Sequence, residues 1–138
     1  MGQSVDLEVS LKEVSNCVVD GNGNVLARSC VATDPAAITD YLATAAPDEE
    51  RVSHESGQLS TWLTRELAGR GVPIVCIDAR VAHKALSARL NKSDSADAEG
   101  LAHLARTGWF VEVHVRSQDS DRVRTLLGAR ERLRRMRK

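Results

Sequence analysis

At 138 residues the chain has the length of one domain, able to bury about two-thirds of its unfolded surface and too short for a second large core. Its 19 basic and 19 acidic side chains cancel, 42% of the residues are hydrophobic, and an aromatic share of 3% argues against a binder that stacks single-stranded bases on rings. No stretch approaches the about 18 consecutive apolar residues of a membrane span, and the start MGQSVDLEVS has no basic-then-apolar pattern, so a cytoplasmic chain without a membrane partner is expected. Three cysteines, Cys17, Cys30 and Cys76, are too few for a disulfide framework and are expected to be reduced and buried.

In chain order, VDLEVSL alternates apolar and polar residues, NCVVD resumes the pattern, and VLARSCVAT follows the turn DGNGN, which predicts three meandering strands. Gly21–Asn22–Gly23–Asn24 is a hairpin turn rather than a phosphate loop, because neither a strand-to-helix transition nor a lysine follows it. Asp34 and Pro35 start a helix over about 35–46 with Ile38, Tyr41, Leu42 and Ala45 on its apolar face. A short strand near Arg51–Glu55 leads into a second helix through Leu59, Trp62, Leu63 and Leu67, closed by Gly69 and Gly71. The continuous apolar run VPIVCID suits a central strand covered on both faces. ARVAHKALSARL and NKSDSADAEGLAHLARTG predict two more helices, the second with Leu101, Leu104 and Ala105 inward and Gly108 closing it, and WFVEVHV a short strand or extended link.

The zero net charge conceals two segments, because residues 1–115 carry a net −6 and residues 116–138 a net +6. In the basic segment Leu126, Ala129, Leu133 and Met136 fall at heptad spacing among arginines, the pattern of a helix that starts a coiled coil and pairs with another copy. The heptads stop unfinished at Lys138, as expected of the front part of something longer. The expected division is therefore a domain over 1–115 and a basic amphipathic helix over 116–138.

The order of three strands, helix, strand, helix, strand, helix is that of an α/β, ribonuclease-H-like mixed sheet flanked by helices. Within that order the carboxylates are suggestive, since metal-dependent phosphodiester chemistry needs Asp and Glu oxygens converging around Mg²⁺. Alternation puts Asp6, Glu8 and Ser10 on one face of the first strand, Glu55 ends a later strand, and Asp94 and Asp97 lie three apart at the start of a helix. Each has a plainer reading: a solvated strand face for Glu8, a helix-dipole partner for Glu55, and a cap with a first-turn acid for Asp94 and Asp97. His54, His83, His103 and His114 lack zinc spacing and read as structural or surface residues.

The segments LEVSLKE, HESGQLSTWL and CIDARVAHKALSARLNKSDSADAEGLAHLARTGWFVEVHVRS resemble the N-terminal RuvC-like DEDD domain of the insertion-sequence 110 transposase family. The resemblance implies a transposase for metal-dependent DNA strand cleavage and joining, with Mg²⁺ or Mn²⁺ held by Glu55 in HESG, Asp94 and Asp97 in NKSDSAD, and Glu8 at the first position. There the family has an aspartate, so Glu8 moves its carboxyl by about 1 Å, a shift to which metal-site catalysis is sensitive. The family continues through a coiled coil into a domain supplying a nucleophilic serine, which implies a truncated or degenerate copy here. Arg89 and Lys92 beside the acid pair, with Arg130, Arg134 and Arg135 in the basic helix, are the expected phosphate contacts. DNA, a guide RNA and further copies of the chain are the implied partners. The alternative from the residues alone is a catalytically inactive nucleic-acid-binding or dimerisation module.

Overall fold

The computed structural model describes residues 2–86, 94–108, 110–115 and 117–137. Three antiparallel-linked strands come first, β1 (Gln3–Val9), β2 (Glu13–Val19) and β3 (Val25–Ala32). Helix α1 (Pro35–Ala45), strand β4 (Glu49–Glu55), helix α2 (Ser60–Gly69) and strand β5 (Ile74–Ile77) follow. Helices α3 (Ala79–Leu86), α4 (Asp94–Thr107) and α5 (Gln118–Met136) complete the chain. The sheet order is β3-β2-β1-β4-β5, with β1, β4 and β5 parallel and β2 and β3 antiparallel to their neighbours. This is the mixed, helix-flanked sheet expected from the element order.

Local chemistry accounts for the elements. The Asp20 carboxylate accepts the Asn22 and Asn24 N–H groups at 2.9 Å, and Gly23 takes φ +87°, so the turn joining β2 to β3 is closed by the residues that suggested it. Asp34 accepts the Ala37 N–H at 3.1 Å ahead of Pro35, capping α1. Gly71 and Gly108 take positive φ just past α2 and α4, where a side chain would be strained.

Strand alternation then divides the interior in two. Val5 and Leu7 of β1 and Val52 of β4 pack with Ile38 and Leu42 of α1 and Leu63 and Leu67 of α2. The opposite face carries α4, with Ala102 against Cys17 and Val19, and Leu104 and Phe110 against Val75 and Ile77. Of the three residues expected inward on α4, Leu104 packs on Ile77, whereas the side chains of Leu101 and Ala105 lie outside the described residues; fully buried Ala102 makes the close helix-sheet contact.

Two expectations are corrected. VPIVCID is the edge strand β5, not a central strand. Its apolar run is still satisfied, because the segment after α4 covers the open edge: the Asp78 N–H bonds Val111 O at 2.9 Å, and the Val113 N–H bonds Cys76 O at 2.8 Å. Cys30 is exposed, since it lies on the outer strand β3, whereas Cys17 and Cys76 are buried. Among the described residues no helix is long and apolar enough to cross a membrane.

Candidate active site

Ser4, Asp6 and Glu8 alternate to the α4 side of β1, opposite the apolar Val5 and Leu7. Asp6 stands beside Ser53 and Leu7 beside His54 in the parallel β1–β4 register, so one further step sets Glu8 next to Glu55 at the carboxyl ends of both strands. A cleft of about 300 Å³ opens there, lined by Glu8, Ser10, Glu55, Ser56 and Ser60 among others. The carboxyl ends of parallel strands are where open α/β sheets bind their ligands.

The direction of α4 follows from its contacts. Glu99 pairs with Arg28, on the sheet rung of Asp6 and Cys17, and further along Arg106 donates to Gly21 O at 3.4 Å in the β2–β3 turn, near the start of β1. The helix therefore runs antiparallel to β1, and its opening turns, with Asp94 and Asp97, lie toward the Glu8 and Glu55 end. The side chains of Asp94 and Asp97 lie outside the described residues, as do Arg89 and Lys92. Arg134 and Arg135 are on the exposed helix α5, where each reaches Glu131 of its own helix; Arg130 shares that helix.

Asp6 lies deeper on the same face. It is 0% exposed, and its carboxyl shares a 3.0 Å hydrogen bond from the Ser53 hydroxyl. Its Oδ2 is buried with no hydrogen-bond partner among the described residues. Burial raises its pKa well above the carboxylate range, the Ser53 hydrogen bond offsets part of that rise, and the charges of Glu55 and Glu8 raise it further. Alternation already placed Asp6 on the face of Glu8; that this face is buried depends on α4, which the strand pattern does not reveal.

Two histidines complete the surroundings. His54 points into the apolar layer, shares a 2.7 Å hydrogen bond with the Thr64 hydroxyl, and is held by burial at a pKa of about 4, which makes it a structural residue as expected. His83 of α3 brings Nε2 to 3.2 Å from Glu55 Oε2, a contact that no spacing in the sequence signals. The donors at this end of the sheet are mainly carboxylate oxygens, the hard ligands that suit Mg²⁺ or Mn²⁺. Among the described residues no three His, Cys, Asp or Glu side chains close a metal cage by themselves.

A model of the DEDD transposases of insertion sequence IS110, described as a transposase, matches residues 6–138. Among solved structures, RuvC of T. thermophilus in complex with a Holliday junction substrate superposes with a TM-score of 0.54 at 16% identity, covering 80% of this chain and 99% of that one. A second Thermus thermophilus RuvC structure gives a TM-score of 0.52 at 16% identity over 79% of this chain and 99% of that one. At such identity the likeness establishes the RuvC-like fold. No curated protein matches the chain.

Proposed function

The chain belongs to the DEDD transposase family of insertion sequence IS110, and on that premise we propose that it cleaves and joins DNA strands with Mg²⁺ or Mn²⁺ held by Glu8, Glu55, Asp94 and Asp97. The carrying observation is that Glu8 and Glu55 share one sheet face at the carboxyl ends of parallel strands, at the end of the sheet toward which α4 begins. A divalent cation held by these residues would supply Lewis-acid polarisation of the scissile phosphate and activation of an attacking hydroxyl.

The residues have separable tasks. Glu8 and Glu55 would supply ligands from the adjacent strands β1 and β4, and Asp94 and Asp97 from the opening turns of α4, the helix packed on the same sheet. The cleft between Ser10 and Ser56 admits a phosphodiester backbone. Arg89 and Lys92, just ahead of Asp94 in the sequence, would neutralise phosphate charge, with Arg130, Arg134 and Arg135 of α5 as further phosphate contacts. The domain over 1–115 thus carries the chemistry, and the helix over 116–138 serves nucleic acid and, through its Leu126, Ala129, Leu133 and Met136 seam, the start of a coiled coil with another copy. A guide RNA is the further partner, and the cytoplasm the compartment, of this reading.

Calorimetry with Mn²⁺ tests it. The expected result is saturable binding that weakens at least about tenfold on Glu55→Gln or Asp97→Asn, accompanied by loss of Mg²⁺-dependent nicking of labelled DNA. Binding indifferent to both substitutions overturns the metal site and favours an inactive nucleic-acid-binding module, a reading supported by the longer carboxylate arm of Glu8.

A further inference from the structure

Among the described residues Asp6 is the only wholly buried carboxylate. A carboxyl group taken from water is costly to keep unless a partner offsets the lost hydration, and buried charges in proteins are paired or face metals. One oxygen of Asp6 has Ser53; the other, Oδ2, has no hydrogen-bond partner among the described residues. Asp6 lies one alternation step behind Glu8 on the same face of β1, and its β4 neighbour Ser53 lies one step behind Glu55. On the same rung Arg28 is engaged by Glu99 of α4. Packing does not require an acid here either, since the neighbouring Cys17, Val19 and Ala102 form an apolar cluster.

We propose that Asp6 is a fifth carboxylate of the divalent-metal site, a positioning residue set beneath Glu8 and Glu55 whose charge strengthens cation binding in the cleft. The inference rests on the reading of that cleft as a metal centre. Asp6 is wholly buried behind the cleft that Glu8 and Glu55 line, which assigns it to support rather than direct ligation. Supporting groups behind metal ligands typically change affinity by about 10- to 100-fold when removed.

The test is a calorimetric Mn²⁺ titration of the unmodified chain, Asp6→Asn and Glu55→Gln, with melting curves recorded in parallel. Expected are binding by the unmodified chain, near-complete loss in Glu55→Gln, and an affinity about tenfold lower in Asp6→Asn. A purely structural Asp6 would move the melting temperature and leave the Mn²⁺ affinity in place. An Asp6→Asn affinity within twofold of the unmodified chain, with Glu55→Gln impaired, overturns this inference and leaves the metal reading standing. Undiminished binding by Glu55→Gln, or none by the unmodified chain, overturns both. Should Asp6→Asn fail to fold, a Mg²⁺ titration of the ¹³C-labelled unmodified chain decides: the Asp6 carboxyl resonance is expected to shift with the Glu55 midpoint, and a stationary Asp6 signal overturns the inference.

Discussion

His54 and Asp6 are one rung apart across neighbouring strands and point to opposite sides of the sheet, and burial acts on them in opposite senses. Burial holds the imidazole at about 4, below its unfolded value of 6.5, so the folded chain resists a proton that the unfolded chain accepts. Stability is unaffected by this group above the unfolded pKa, falls as pH drops from 6.5 toward 4, and loses roughly 3 kcal/mol across that window. Urea midpoints at both ends of the window should show a steep decline that flattens in His54→Gln. For Asp6 the folded pKa is raised, so its contribution is most favourable below the unfolded pKa and is lost as pH rises. Asp6→Asn is therefore expected to melt higher than the unmodified chain in metal-free buffer at neutral pH. A lower melting point would show that its Ser53 hydrogen bond outweighs the buried charge.

At the scale of elements, the β1–β4 pair and α4 carry the proposed site, while α1 and α2 pack on the other side of the sheet. Leu63 of α2 is wholly buried against β1 and β4 neighbours, so Leu63→Ala is expected to cost about 2–5 kcal/mol by equilibrium unfolding while leaving any residual Mn²⁺ site chemistry unchanged in kind. Helix α5 behaves differently. It is capped by Ser117 and tied to α2 through Arg65 and Asp121, yet none of its residues is buried. Leu126 is 70% and Met136 76% exposed, so the heptad stripe legible in the sequence lies open along the helix. Replacing Arg130, Arg134 and Arg135 together by alanine is expected to leave the unfolding midpoint within about 0.5 kcal/mol, lower DNA affinity, and reduce the salt-dependence slope by about 3. An unchanged slope would remove those arginines from the phosphate contacts.

For the whole molecule, the neutral total charge is the sum of an acidic RuvC-like body and a basic appended helix. The proposed metal site lies in the acidic body and the proposed phosphate contacts partly in the basic helix, so the two charges match the two tasks proposed for the chain. Divalent cations should accordingly raise the melting temperature of the body, an effect that ethylenediaminetetraacetate reverses and Glu55→Gln abolishes.

The element order, the capped start of α1, the glycine turns and the alternation along β1 were all legible in the sequence, because each depends on neighbours within a few residues. So were the positions of Glu8, Glu55, Asp94 and Asp97 within those elements and the helical form of the last segment. What only the tertiary structure decided was which faces are covered. VPIVCID could not disclose that it forms an edge strand, since the chain that seals its open side comes more than thirty residues later. Asp6 read as one of three polar residues on a strand face, and it became a buried carboxylate between like charges because α4 closes over that face. Burial depends on which distant segment packs on a surface, and alternation along one strand distinguishes its two faces without saying whether either meets water.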